Sequence, residues 1–416
     1  MNAPTKQPKA WRIFKCLKVL AMLGVLGGAS LLGTFWIEHR TEITLPAPTG
    51  PFAVGRALYD WVDDKGLDML APTQGNKREL LVWIWYPTAP GQTTLLQDYL
   101  PTSVRAEIER SSGVPILKFL TRDLSKVHTH SRWNSDVSSK QQSYPVVIMR
   151  AGASLEVWNY STLAEDLASH GYVVVGFDAP YRTFTLVFPD GRVMRRIPEN
   201  NPELCFEKPG QEQDRCADRL LSAWTSDIAF VLDRLEQLNA SDPSSKFTAR
   251  LDLTRVGVFG HSFGGATAAQ FCSQDSRCNA GIDVDGSLHG SVIHASIHKP
   301  FMFLLSGRGD FSSDAETRQI QSDIQSVYNR LPADGRLYIS IRGANHFTFS
   351  DDGALLKSFL VRGVLRAFGK LGLDGRRQLA VTAYCLRSFF DRYLKGESVS
   401  RSQIASPLYP EIEVLE

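Results

Sequence analysis

The chain has 416 residues, of which 43% are hydrophobic, 22% are charged and 10% are aromatic. This is the composition of an ordinary globular protein, so a disordered or collagen-like chain is excluded. Lys and Arg number 46 against 44 Asp and Glu, which gives a net charge of +2. Because the charges nearly balance, no broad basic field is expected, and nucleic acid is not a predicted partner.

The N-terminus carries a basic segment followed by a long uncharged run. Residues 1–18 contain five basic residues: Lys6, Lys9, Arg12, Lys15 and Lys18. The run from Val19 to Ile37 has 19 uncharged residues, close to the ~20 that a helix needs to span a bilayer. We expect residues 19–37 to be a transmembrane anchor, or a signal segment cleaved near residues 27–29. The basic flank should be cytoplasmic, so the remaining chain is expected on the extracytoplasmic side, periplasmic or extracellular.

The rest of the sequence divides into a tether, one large domain and a tail. Residues 38–55 are rich in Pro, Thr and Gly and are expected to be a tether. Residues 56–396 are expected to form a single domain with insertions, because no second set of strands with its own core is present. Residues 397–416 are expected to be a C-terminal tail.

Short apolar runs alternate with helical patterns through this domain. Strands are predicted at 80–86, 145–149, 172–177, 255–259, 281–284, 300–305 and 337–341. Helices are predicted at 160–170, 224–238, 264–271 and 379–393, the last ended by Gly396. Pro87 is expected to stop the first strand. Strand, helix and strand in succession indicate a mostly parallel, doubly wound sheet, and therefore an α/β fold.

Four of the six cysteines lie in two close pairs. Cys205 and Cys216 bracket a polar stretch, and Cys272 and Cys278 bracket five residues. Neither pair has the spacing of a metal site, and no metal is expected. Two short-range disulfides in an oxidising compartment are predicted, with four unrelated thiols as the alternative.

One motif carries a specific chemical expectation. Residues 260–264 read G-H-S-F-G, with a predicted strand directly before them and a helix of small residues after them. A serine at such a strand-to-helix turn presents its hydroxyl above the sheet, and glycines two residues away avoid clashes there. We therefore expect Ser262 to be a nucleophile rather than a structural serine in a tight turn.

A serine nucleophile needs a base, which follows it in the chain in this arrangement. His346 comes just after the strand predicted at 337–341, where a base can reach the serine. His289, His294 and His298 lie together before another strand and are expected in a loop or lid, with His289 as the competing base.

The orienting acid is less determined by position. Asp285 follows the strand predicted at 281–284, and Asp310 follows the strand predicted at 300–305. Asp283 is expected to point to the opposite sheet face from its strand neighbours. Position alone leaves Asp285 and Asp310 as equal candidates.

An oxyanion intermediate requires two N–H donors. The backbone amide of Phe263, directly after the nucleophile, is one candidate. The second should come from the loop after an early strand, where Ala153 is the best-placed amide. An ordinary turn at residues 152–154 is the alternative.

The chain resembles the plasma-type platelet-activating factor acetylhydrolases, a branch of the α/β-hydrolases. The resemblance covers residues 50–351 and is carried by Gly50–Gly55, Trp85–Pro87, Leu167–Gly171, Gly260–Thr267, Gly281–Asp285 and Ile341–Phe347. The last three segments contain nucleophile, acid and base in the family's order. The resemblance implies Asp285 rather than Asp310 as the acid, and Ala153 as the second oxyanion residue. It makes residues 56–396 an α/β-hydrolase catalytic domain.

The resemblance also implies an activity. The family needs no metal or other cofactor and hydrolyses short or oxidised acyl chains from phospholipids. A serine esterase is therefore expected, acting on short-chain acyl esters such as the sn-2 acyl group of a lipid. Residues 150–152 read Arg-Ala-Gly where the family has Ser-His-Gly, and Gly286 replaces an aromatic residue. Polyester or xenobiotic ester hydrolysis, peptidase activity, and a non-catalytic membrane binding protein remain alternatives.

Overall fold

The computed structural model describes residues 9–89, 97–111, 123–307, 315–355, 362–363, 366–367, 372–398 and 404–415. The strands are β1 (Ile43–Thr44), β2 (Ala53–Leu67), β3 (Lys77–Thr88), β4 (Gln97–Asp98), β5 (Val127–Thr129), β6 (Arg132–Trp133), β7 (Tyr144–Arg150), β8 (Val173–Asp178), β9 (Thr185–Val187), β10 (Val193–Arg195), β11 (Leu251–His261), β12 (Ala280–Val284), β13 (Phe301–Ser306), β14 (Arg336–Ile341) and β15 (Ile412–Val414). The helices are α1 (Lys9–Arg40), α2 (Thr102–Ser111), α3 (Ser161–Ser169), α4 (Pro202–Phe206), α5 (Gln211–Ala240), α6 (Phe263–Gln274), α7 (Ala315–Arg330), α8 (Asp352–Leu355) and α9 (Gly375–Lys395).

Ten strands form one sheet in the order β15-β14-β13-β12-β11-β7-β8-β3-β2-β6. Every neighbouring pair from β14 to β8 is parallel, whereas β3 runs antiparallel to β8 and to β2. The chain leaves β7 towards one side of the sheet and leaves β11 towards the other. In open α/β sheets a ligand crevice lies at such a switch point, beyond the carboxyl ends of the strands.

Two hydrophobic cores cover the two faces of the sheet. Along β7, Val147 and Met149 enter one core, and Val146 and Ile148 enter the other. Helices α3 and α9 cover the first core, while α5, α6 and α7 cover the second. Because the central strands are buried on both faces, they appear in the sequence as continuous apolar runs. This three-layer architecture confirms the predicted α/β-hydrolase fold class.

Most predicted elements are present with longer bounds. The helix predicted at 224–238 extends from Gln211 to Ala240. Gly396 ends α9 with a left-handed backbone at φ 72°. The prediction that Pro87 stops β3 is wrong, because the strand continues to Thr88 and Pro87 pairs with Val54. Proline lacks an N–H donor, but its carbonyl still accepts a hydrogen bond from the Ser138 backbone, so pairing continues at the strand end.

Among the described helices, one is long and apolar enough to cross a membrane. It spans residues 17–40 within α1, with a mean hydropathy of 1.8 and none of it buried in the protein. The segment that follows, predicted as a tether, packs on the domain instead of extending freely, since Ile43 and Leu45 are buried. At the other end, β15 lies within the predicted tail and pairs with β14. Apolar side chains in both segments explain why they join the domain.

Between β8 and α5 the chain forms an excursion, residues 184–210, which we call the 184–210 insert. It contains the antiparallel hairpin of β9 and β10 and the short helix α4. The insert lies beside the carboxyl ends of the central strands, where Arg196 donates to the carbonyl oxygen of Ala153 in the loop after β7.

Candidate active site

Ser262 sits at the turn between β11 and α6, with its backbone in the left-handed region at φ 57°. Its N–H donates to the carbonyl of Val284, 2.9 Å away, and its own carbonyl accepts from the N–H groups of Gly265 and Ala266. A non-glycine residue rarely adopts this conformation, which is held here by the hydrogen bonds on both sides. The side chain of Ser262 is partly exposed.

The glycines of the motif allow this turn to be tight. A Cβ atom on Gly260 would lie 2.1 Å from the carbonyl oxygen of Gly264. A Cβ atom on Gly264 would lie 2.4 Å from the carbonyl oxygen of Ala151. Both contacts are with backbone, so no side-chain movement relieves them. Glycine is therefore a steric requirement at both positions.

His346 and Asp285 meet at the carboxyl ends of β14 and β12. His346 Nδ1 lies 2.7 Å from Asp285 Oδ2. The buried Asp285 carboxylate also accepts hydrogen bonds from the backbone N–H and the hydroxyl of Ser306, each at 2.9 Å. A carboxylate partner at Nδ1 holds the proton there, which leaves Nε2 of His346 able to accept a proton. Asp310, the alternative acid, lies outside the described residues.

The two candidate oxyanion amides belong to buried residues on either side of Ser262. Phe263 opens α6, and Ala153 lies in the loop after β7. A Cβ atom on Gly152 would be 3.4 Å from Ser262 Cβ, which places this loop beside the serine. Within the described ranges, the N–H groups of Ala153 and Phe263 donate to no protein acceptor. The positive end of the α6 dipole adds to the attraction for a developing negative charge.

Tyr160 and His261 form a hydrogen-bonded pair behind the serine that the sequence did not indicate. The Tyr160 hydroxyl accepts from the N–H of Gly152 at 3.1 Å and lies 2.7 Å from His261 Nδ1. The His261 ring lies against that of His346, with 4.6 Å between centroids. Burial, and then the nearby His346, lower the pKa of His261 to about 3. The histidine inside the G-x-S-x-G motif was the available signal.

His289, the competing base, lies elsewhere in the site. Its ring stacks on Phe206 at 5.1 Å and lies 6.3 Å from Phe263. Burial lowers the pKa of His289 to about 4. Its ring therefore packs beside Phe206 and Phe263, and the histidine bonded to Asp285 is His346.

The four paired cysteines form the two disulfides expected. Cys205–Cys216 joins α4 to α5, and Cys272–Cys278 joins α6 to the segment before β12. Cys385 is a buried free thiol in α9. Among the described residues, no group of three or more His, Cys, Asp or Glu side chains is arranged to hold a metal ion.

Comparison with known proteins places the chain among ester hydrolases. The model of the platelet-activating factor acetylhydrolase, isoform II family matches residues 37–397. A probable 1-alkyl-2-acetylglycerophosphocholine esterase of Arthroderma benhamiae is 25% identical, over 90% of this chain and 95% of the relative. The platelet-activating factor acetylhydrolase of Cavia porcellus is 25% identical, over 74% of this chain and 69% of its own.

A solved structure agrees with these relatives. The ferulic acid esterase from Streptomyces cinnamoneus superposes with a TM-score of 0.70 at 26% identity, over 90% of this chain and 99% of its own. The fold, the strand-to-helix serine and the family match over most of the chain lead to one assignment. The chain belongs to the platelet-activating factor acetylhydrolase, isoform II family of carboxylic ester hydrolases.

Proposed function

We propose that this protein hydrolyses short-chain acyl esters through a covalent acyl-enzyme formed on Ser262. In this proposal His346 is the general base and acid, and Asp285 orients it. The observation that carries the assignment is the 2.7 Å contact between His346 Nδ1 and the buried Asp285 carboxylate. It occurs beside a serine held at φ 57° at the start of a helix.

The reaction follows from these positions. Ser262 Oγ attacks the ester carbonyl carbon while its proton moves to His346 Nε2, and Asp285 stabilises the resulting imidazolium. The N–H groups of Phe263 and Ala153 receive the oxyanion. The leaving alkoxide takes the proton from His346 as the ester C–O bond breaks. A water molecule, deprotonated by His346, then attacks the acyl carbon, and Ser262 leaves with its proton restored.

For the substrate, we propose a lipid ester such as the sn-2 short acyl group of a phospholipid. The names of the relatives in Arthroderma benhamiae and Cavia porcellus support this class. A second candidate is a non-lipid ester, which the likeness to a ferulic acid esterase supports. Residues 150–152 and Gly286 differ from the family pattern beside the site, which keeps this second class open.

We also propose that residues 19–37 anchor the protein in a membrane, with residues 1–18 in the cytoplasm and the catalytic domain on the other side. An exposed apolar helix and a basic flank before it support the anchor. Two disulfides support an extracytoplasmic domain, because such bonds persist in oxidising compartments.

One substrate panel tests these assignments on the full chain in detergent. p-Nitrophenyl esters from acetate to palmitate, a feruloyl ester and a short-chain phosphatidylcholine are compared by initial rates. We expect short chains to be preferred and Ser262→Ala to abolish turnover on every ester. Asp285→Asn should lower kcat by about 10²–10⁴-fold, because the wrong imidazole tautomer is then favoured.

Asp310→Asn is the matched control, because it removes the other candidate acid. Retained activity in Ser262→Ala, or a folded wild-type protein inactive on all esters, would exclude the proposed reaction. A large loss of kcat in Asp310→Asn with no loss in Asp285→Asn would show that Asp310, rather than Asp285, orients His346. A preference for the feruloyl ester would select the second substrate class.

A further inference from the structure

Both candidate oxyanion residues belong to a small hydrophobic cluster that also contains a disulfide. We call it the oxyanion cluster; its buried members are Leu70, Ala153, Cys205, Leu220, Leu221, Ala223, Trp224, Phe263 and Ala266, with Cys216 packed against them. It is separate from the two cores on the faces of the sheet. The positions of Ala153 and Phe263 therefore depend on the packing of Cys205 and its neighbours.

The 184–210 insert is tied to the Ala153 side of this cluster by two polar contacts. Arg196 Nη1 donates to the carbonyl oxygen of Ala153 at 2.7 Å. The hydroxyl of Ser154 donates to the carboxylate of Glu203 in α4. Both contacts hold the loop that contains the candidate oxyanion amide, one through its backbone and one through the next side chain.

The same insert reaches the Phe263 side through aromatic rings. Phe206, the last residue of α4, stacks on His289 at 5.1 Å, and His289 lies 6.3 Å from Phe263. The ring of Trp224 lies edge-on to Phe263 at 5.0 Å. Helix α4 thus contacts Ser154, next to Ala153, and His289, which lies beside Phe263.

Helix α4 is short and largely exposed, and the disulfide is its one covalent cross-link to the domain among the described residues. The helix contains five residues, and Glu203, Leu204 and Phe206 are exposed. One turn of helix is not stable without tertiary contacts. Cys205 is fully buried and is bonded to Cys216 in α5, a helix of 30 residues whose inner face lies in the core. The covalent bond attaches a short, exposed element to a rigid one.

We propose that the Cys205–Cys216 disulfide is a positioning element for catalysis, which keeps α4 against the two backbone amides that bind the oxyanion. This inference rests on the proposed function, since it assumes that those amides receive the oxyanion. Because an oxyanion exists only after attack on the carbonyl, loss of the bond should lower kcat and leave KM nearly unchanged. Displacement of the donors by about 1 Å is enough for a loss of up to ~10²-fold.

The second disulfide provides a matched control. Cys272–Cys278 closes a loop with a sequence separation of 6, against 11 for Cys205–Cys216. The logarithmic dependence on loop length makes their effects on the unfolded chain similar. Cys272 lies in the last turn of α6 and Cys278 just before β12, and both belong to the second core rather than to the oxyanion cluster.

The test compares Cys205→Ala/Cys216→Ala with Cys272→Ala/Cys278→Ala in the full chain, using p-nitrophenyl acetate. We expect kcat to fall by about 10-fold or more in the first variant, with KM within about 2-fold of the wild type. The second variant should keep the wild-type kcat although its melting temperature falls by a similar amount. Equal kcat in both variants, or a rise in KM without loss of kcat, would overturn the proposal.

A second experiment breaks the disulfide reversibly, so that its result does not depend on whether Cys205→Ala/Cys216→Ala folds. In Cys272→Ala/Cys278→Ala, dithiothreitol reduces Cys205–Cys216 to two thiols and is itself oxidised to a cyclic disulfide. Cys216 is partly exposed, and titration of the released thiols measures the extent of reduction. We expect kcat to fall on reduction and to recover on reoxidation, with unchanged far-UV circular dichroism. Full activity of the reduced protein would contradict the proposal, whereas an inactive wild type would refute the proposed function itself.

Discussion

At the scale of single residues, Tyr160 forms hydrogen bonds with two neighbours of the candidate active site. Its hydroxyl oxygen accepts from the N–H of Gly152, so its own hydrogen is available to His261 Nδ1. Burial, and then the nearby His346, lower the pKa of His261 to about 3, so its ring is neutral at pH 7 and adds no positive charge beside His346. Tyr160 thus connects the loop that contains Ala153 to His261, whose ring packs against that of His346.

Tyr160→Phe tests this connection. The ring and its packing remain, but the Gly152 N–H and His261 Nδ1 both lose their partner in a buried place. We expect kcat to fall by about 10-fold with little change in KM. Without the hydroxyl, the loop at Gly152 and the His261 ring beside His346 are both held less firmly. Steady-state kinetics with p-nitrophenyl acetate measure the effect.

Tyr144→Phe is the control for this substitution. Tyr144 is also fully buried, and its hydroxyl donates to the carbonyl of Ser138, on another part of the domain. The Tyr144→Phe protein should be less stable than the wild type but have the same kcat. If the two variants lose the same fraction of kcat, Tyr160 has no special effect on the reaction.

At the scale of elements, α6 approaches β12 closely, next to Ser262 and Asp285. A Cβ atom on Gly265 would lie only 1.9 Å from Asp283 Oδ1. Asp283 points to the α6 side of the sheet, opposite to Ile282 and Val284, as the strand alternation predicts. Its carboxylate accepts the N–H of Gly286, directly after Asp285, at 2.8 Å. Helix α6 and strand β12 are therefore so close at this point that only glycine fits at position 265 without a shift of Asp283.

Gly265→Ala is expected to destabilise the protein by about 1–3 kcal/mol, because Asp283 must move from a closely packed position. Chemical denaturation followed by circular dichroism measures this change. Gly363→Ala is the control, since among the described residues nothing outside its own chain neighbours and helix backbone lies within 4 Å of a Cβ added there. A Gly265→Ala protein with the unfolding free energy of the wild type would contradict the prediction, because α6 and β12 would then move apart without loss of stability.

At the scale of the whole molecule, the domain encloses several carboxyl groups whose charged forms are disfavoured. Burial, and then the neighbouring Asp178, raise the pKa of Glu156 to about 8. Burial raises the pKa of Asp178 to about 7. A carboxyl with a raised folded-state pKa holds its proton more tightly in the folded protein. Its contribution to stability is complete below the unfolded-state pKa and is lost as the pH rises through the folded-state pKa.

Glu156→Gln should therefore change the pH dependence of stability. The amide keeps the hydrogen bond that Glu156 Oε1 accepts from the backbone of Thr185 and has no proton to lose. Relative to the wild type, we expect the variant to gain about 1–3 kcal/mol of unfolding free energy between pH 5 and 8. Urea unfolding across this range measures the difference. Exposed Glu236→Gln serves as control, and a pH-independent difference at position 156 would contradict the prediction.

Local physics explains why much of this protein is readable from its sequence. Burial of the central strands on both faces produces apolar runs, and the strained turn at Ser262 requires glycines at fixed spacing. The order of Ser262, Asp285 and His346 in the chain follows from the order of strands in the fold. The apolar runs and the glycine spacing depend on neighbours within a few residues, so the α/β class and the candidate nucleophile were predictable.

Only the tertiary structure decided which distant groups meet. The chain separates Asp285 from His346 by 61 residues and Tyr160 from His261 by 101, yet each pair lies 2.7 Å apart. The sequence left Asp285 and Asp310 equal by position and contained no pattern for Tyr160. It also did not indicate that the segments around Ile43 and Ile412 join the domain. Such contacts arise from packing across the whole sheet, and packing depends on the shapes of many residues together rather than on any local pattern.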